Sequence, residues 1–97
     1  MDFSEFLFTS RTITQAMLEL ILKASDDVIR YNNSKKKELL EQLDKIRAVV
    51  RDMELKPPTP FKNKEQLQQY KHTIKQLKAG CDKLEQAVMK GDILLIF

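Results

Sequence analysis

The side chains able to do bond-making chemistry are few. His72 and Cys81 are the only residues of their types among 97. Together they would suggest a thiolate activated by an imidazole, and that chemistry needs the two within hydrogen-bond reach. They stand nine residues apart on what the pattern predicts to be one helix, about 13 Å of rise. One thiol and one imidazole at that spacing assemble no metal site. A phosphate-cradling loop needs several glycines, and the chain has only Gly80 and Gly91. The carboxylates are spread along predicted helix surfaces, where solvation and i,i+4 pairing, as between Glu41 and Lys45, are their ordinary use. The sequence therefore predicts no catalytic residue, no metal ligand and no cofactor, and the expectation is that the chain is not an enzyme. His72 lies off the apolar row of its helix and is expected at the surface. Cys81 lies in that row and is expected to be a buried structural thiol.

With no reacting group to position, the elements themselves become the subject. The length predicts one domain. Charged residues make up 32% and apolar residues 42%, too apolar for a disordered chain and typical of amphipathic helices. The expected fold is all-α, an antiparallel bundle of three to four helices spanning residues 1–97.

The first helix is predicted over about 2–31. Phe3, Leu7, Met17, Ile21, Ala24 and Val28 recur at helical spacing, with Phe6, Ile13 and Leu20 beside them and Leu18, Leu22 and Ile29 widening the stripe. Thr9-Ser10-Arg11-Thr12 is its weak point, because hydroxyl side chains compete for backbone hydrogen bonds. Either the helix runs through, or Thr9 or Ser10 caps a second one. Asn32-Asn33-Ser34 breaks the pattern, and Ser34 is a suitable N-cap for a helix over about 35–55. In that second helix Leu39, Leu43, Ile46, Val50 and Met53 step by 4, 3, 4 and 3, a heptad seam. Pro57-Pro58 must end it, since proline lacks an amide hydrogen and restricts the residue before it. Lys56 to Pro60 then reads as a stiff connector.

A third helix is predicted over about 64–90. Asn63 and Gln66 have the spacing of a capping box. Leu67, Tyr70, Ile74, Leu77, Cys81, Leu84 and Val88 form the cleanest seam in the chain. Gly80 inside it costs about 1 kcal/mol relative to alanine, which a close approach by another helix would explain. Gly91 suits the helix end. Residues 92–97 are an apolar tail or the start of a fourth helix, with Asp92 as its cap.

The net charge is +3. Residues 1–33 hold three basic and five acidic side chains, a balance of −2, which leaves +5 for the remainder. That mild excess suits an anionic surface. No helix is continuously basic and no recognition motif stands out, so nucleic acid is not an expected partner. No run approaches the ~18–20 apolar residues of a spanning helix, no signal peptide is visible, and a lone cysteine fits a reducing compartment. The expected location is cytoplasmic, with a peripheral position at the plasma membrane as the extension.

Three features line up with a known architecture. A long amphipathic helix comes first, and two heptad-bearing helices follow across a proline connector. The last helix then runs from Glu65-Gln66-Leu67 through Ile74-Lys75-Gln76-Leu77-Lys78 to Cys81-Asp82-Lys83-Leu84 and a short apolar run. Over roughly residues 10–97 this layout resembles the N-terminal coiled-coil domain of plant helper immune receptors, the type related to powdery-mildew-resistance proteins. It is also similar to the four-helix domain of the pseudokinase that executes necroptosis and to related fungal cell-death domains. It departs from the plant pattern at Glu85-Gln86-Ala87, where basic and aromatic residues would follow Lys83-Leu84.

The resemblance implies a bundle that oligomerises when active and engages or permeabilises the plasma membrane in immune or cell-death signalling. On that analogy Phe3, Phe6, Leu7 and Phe8 enter the acyl boundary. Asp2, Glu5 and Glu19 would line a cation path, because rings of carboxylates favour cations. Without the analogy, the aromatic residues cover the end of the bundle and the acids complement a helix dipole. The expected partners are the chain itself or another helical protein, with anionic lipid as a further candidate. The competing expectation is a coiled-coil interaction module, an adaptor or subunit of a cytoplasmic complex, without membrane activity.

Overall fold

A computed structural model of the chain describes residues 2–24 and 33–90. Three helices, α1 (Phe3–Ala24), α2 (Asn33–Leu55) and α3 (Lys64–Lys90), pack against one another, and the described residues include no strand. The molecule measures 48 × 22 × 16 Å. Its long dimension follows from α3, whose 27 residues span about 40 Å at 1.5 Å each.

Local chemistry accounts for the helix limits. Asp2 caps α1: its Oδ1 accepts the amide hydrogen of Glu5 at 2.7 Å, satisfying one of the orphan donors of the first turn. The helix then runs unbroken through Thr9 to Thr12, which decides between the two readings of that stretch. The hydroxyls of Ser10, Thr12 and Thr14 bond back to the carbonyls of Phe6, Phe8 and Ser10 at 2.8, 3.1 and 2.9 Å. They bind inside the helix rather than competing with it. The second helix starts at Asn33, two residues before the expected start, so Ser34 sits within the helix and is not its N-cap. It ends at Leu55, before the prolines.

Asn63 caps α3 by accepting the Gln66 amide at 2.9 Å. The return bond differs from a standard capping box. Gln66 Oε1 takes the amide of Lys62 at 2.9 Å, one residue earlier than that of Asn63. In the connector, Pro58 is buried and the Thr59–Pro60 peptide is cis. The expected continuation of the first helix to Tyr31, the Gly91 cap and segment 92–97 lie outside the described residues.

The core forms two adjoining clusters. One gathers Phe6, Ile13, Val50, Met53, Ile74 and Leu77. The other gathers Leu20, Ala24, Leu39, Leu43, Cys81, Leu84 and Val88. Met17 and Ile46 touch both and join them. The seam residues Leu39, Leu43, Val50 and Met53 of α2 and Ile74, Leu77, Cys81, Leu84 and Val88 of α3 are therefore core residues. Ile46 and Tyr70 are half-buried against the core, and Leu67 is half-buried.

On α1 the inward row differs from the expected one. Phe6, Ser10, Ile13, Leu20 and Ala24 are buried, while Phe3, Leu7, Met17 and Ile21 are half-buried. The helix is turned by roughly half a residue step, ~50°. The reason is that α1 packs against both other helices, so its most enclosed row lies between the two contacts. Ser10 can occupy that row because its hydroxyl is satisfied by Phe6 O.

Gly80 marks the close approach between α1 and α3. A Cβ placed there would lie 2.5 Å from Cε of Met17. Ala87, seven residues on and so on the same face of α3, is also buried. At the connector end, aromatic rings close the core. Phe6 meets Tyr70 at 5.1 Å, Phe61 meets Tyr70 at 5.5 Å, and Phe3 stacks on Phe6 at 5.9 Å. Such pairs contribute about 0.5–1.5 kcal/mol each beyond burial.

Candidate interaction surfaces

The surface of α1 opposite the core carries large apolar side chains. Phe8, Leu18 and Leu22 are 71%, 55% and 72% exposed. With Arg11 and Gln15 they form one row at steps of 3, 4, 3 and 4, a helical seam facing outward. Helix α1 thus has two apolar faces, whereas the outer faces of α2 and α3 carry mostly charged and amide side chains. This row is the feature that sequence reasoning missed. Leu18 and Leu22 read there as the edge of the inner stripe. The signal was the heptad spacing 8-11-15-18-22, masked by its two polar members.

The four residues named for membrane entry do not share a surface. Phe6 is completely buried and belongs to the core in this conformation, correcting its place among exposed anchors. Phe3 and Leu7 are half-buried against the same cluster, and only Phe8 points outward. Of the proposed cation-path acids, Asp2 and Glu5 share the first turn of α1 and Glu19 stands apart from them. Asp2 is engaged in capping α1. Glu5 and Glu19 are both exposed but lie 14 residues apart, about 21 Å along the axis.

A second feature is a groove of about 330 Å³ between α2 and α3, lined by Arg47, Val50, Arg51, Glu54, Lys78, Cys81 and Asp82. Most of its charge is internally matched. Arg47 donates to Asp82 at 3.0 Å and to Glu85 at 2.7 Å, and Lys78 pairs with Glu54. Cys81 at its floor is 2% exposed. Burial pushes the thiol above its ordinary value; Arg47 opposes the rise and Asp82 adds to it. The group is therefore a protonated thiol near neutral pH, a poor nucleophile.

His72 stands exposed on α3. Tyr70 donates its hydroxyl to Met53 O at 3.2 Å. Burial first, then the charge of Glu54, raise its ionisation above the usual tyrosine range, with Lys78 opposing. Among the described residues no three His, Cys, Asp or Glu side chains cluster to hold a metal ion. Nor is any described helix long and apolar enough to cross a membrane.

No family model, curated protein or solved structure matches this chain. The geometry of the site carries the functional argument alone.

Proposed function

We propose that the chain is a helical interaction module in which α1 serves as a shared wall, one face in its own core and the other against a second helix. The observation that carries this reading is the exposed row Phe8, Leu18 and Leu22 on a helix whose opposite side is already buried. Apolar side chains grouped on one surface mark contact sites, and outward heptad spacing is the pattern that another helix recognises. In this reading the chain contributes packing and no bond-making step. The helices alternate in direction. Support comes from the contacts: α2 partners fall in number as α3 residues rise, from Met53 with Tyr70 to Arg47 with Glu85. Contacts of α1 rise with α3, from Phe6 with Tyr70 to Met17 with Gly80.

The test is a photo-crosslinking side chain placed at Leu18, with Gln86 on α3 as an exposed control. A specific adduct from position 18 and none from position 86 is expected. Equal labelling from both would remove the reading.

A second reading is engagement of an anionic membrane surface, with oligomerisation and permeabilisation in immune or cell-death signalling as the resemblance implies. It is favoured by one arrangement. Residues 55–75 hold Lys56, Lys62, Lys64, Lys71 and Lys75 against Glu65 alone. The Phe6–Tyr70–Phe61 contacts bring the start of α1 to that end, where Leu55 and Phe8 are exposed. Cations beside exposed apolar residues suit an anionic interface. Wild-type chain should then cosediment with phosphatidylserine vesicles at low salt and leak their contents, and Phe8→Glu should abolish both. Absence of cosedimentation by the wild type refutes it.

A further inference from the structure

We infer that the helix received by the outward face of α1 is α1 of a second copy, lying antiparallel about a two-fold axis. This rests on the interaction-module reading and names its partner.

One charged residue breaks the apolar row. Arg11 sits in the seam between Phe8 and Leu18, is exposed, and takes part in no ion pair of the described residues. The same holds for Glu19, two turns further along. A parallel pairing of two α1 helices would set Arg11 against Arg11, and like charges in one seam disfavour association. Reversing one copy removes the conflict. With Phe8 of each copy packed on Leu18 of the other, Arg11 lies opposite Gln15 of the second copy. Glu19 of the second copy is then one turn away, within reach of the guanidinium. Two-fold symmetry repeats this contact, as an isologous interface requires. Leu22 falls over Ser4, a small exposed residue. The row therefore complements itself in one orientation: apolar layers flank a polar centre that sets the direction, a known role of polar residues in helical seams.

Three large exposed side chains per copy make a small apolar core beside the ~1,200 Å² of a stable specific interface. A core that small places the dimer among weak, concentration-dependent associations.

The experiment is sedimentation equilibrium of the full chain up to about 500 µM. A monomer–dimer transition is expected. Leu18→Glu should weaken it more than about tenfold, with helicity at 222 nm unchanged because Leu18 lies outside the core. Arg11→Glu should also weaken it, and Arg11→Glu combined with Glu19→Arg should restore it. Direction is read by mixing chains carrying Ser4→Cys with chains carrying Leu22→Cys. Disulfides between unlike chains should dominate, and Cys81 is buried and stays apart.

A monomer throughout the range, an unaltered dimer in Leu18→Glu, or self-pairing of Leu22→Cys chains overturns the inference. A monomer whose photo-crosslinker at position 18 captures a different helical protein removes the second copy alone. No adduct at all removes the interaction module with it.

Discussion

Replacing Gly80 by alanine tests the packing of α1 on α3 most directly. The added Cβ would lie 2.5 Å from Cε of Met17, whereas carbon atoms rest at about 3.5–4.0 Å. The methyl group must therefore retreat by about 1 Å. Met17 is half-buried and bridges the two core clusters. Its three rotatable bonds allow the retreat, at a cost of about 0.5–1.5 kcal/mol for leaving a preferred rotamer. Against this, alanine in a helix interior is better than glycine by about 1 kcal/mol. The two terms nearly cancel, and Gly80→Ala should leave stability within about 0.5 kcal/mol of the wild type.

The cancellation disappears once the obstacle is removed. In a Met17→Ala background, Gly80→Ala should stabilise by the full ~1 kcal/mol. That corresponds to about 4–8 °C in Tm for a domain of this size. Urea and thermal melts of the four variants, followed by circular dichroism at 222 nm, give the coupling energy. A value of about 0.5–1.5 kcal/mol is expected. Equal stabilisation by Gly80→Ala in both backgrounds would show that Met17 does not lie over Gly80, and the placement of α1 would fall with it. Gly80→Ile carries atoms that Met17 alone cannot accommodate. It should destabilise by about 1–3 kcal/mol as α1 is forced outward.

Leu43, 2% exposed, should lose about 2–5 kcal/mol on replacement by alanine; Leu43→Asp and Leu77→Asp should unfold the chain, and full helicity in both would contradict the core. Burial holds Cys81 and Tyr70 above their ordinary values of 9.0 and 10.0, so the native chain keeps protons that the unfolded chain releases. Stability should be fully present below pH 9 and fall as pH rises through the raised values; Tyr70→Phe should flatten the upper part of that decline in urea melts at stepped pH. Arg47 bridges Asp82 and Glu85 at the surface, where ion pairs contribute about 0–1 kcal/mol; the loss in Asp82→Asn with Glu85→Gln should stay in that range and shrink in high salt. Cys81 should react with a disulfide reagent at the rate at which the bundle opens, so mild urea should accelerate labelling steeply.

Several helix limits were legible because their determinants are local. Pro57 and Pro58 end α2 by removing donors, Asn63 offers a cap, and the seams from Leu39 to Met53 and from Leu67 to Val88 state their own period. The burial of Cys81, the exposure of His72 and the close approach at Gly80 follow from the same periodicity. Less was legible in α1. Its apolar residues occur on both sides, and a period says that a face is apolar without saying which neighbour it meets.

From the sequence alone, then, come a bundle of three to four helices, the seams of two of them and the scarcity of reactive side chains, because propensity, capping and spacing act within a few residues along the chain. Tertiary contact alone decided that Phe6 and Ser10 face inward while Phe8, Leu18 and Leu22 face outward, and that Arg47 bridges Asp82 and Glu85. Those outcomes depend on how α1 seats against two other helices at once, and that fit is set by side-chain volumes distant in sequence that meet only after folding.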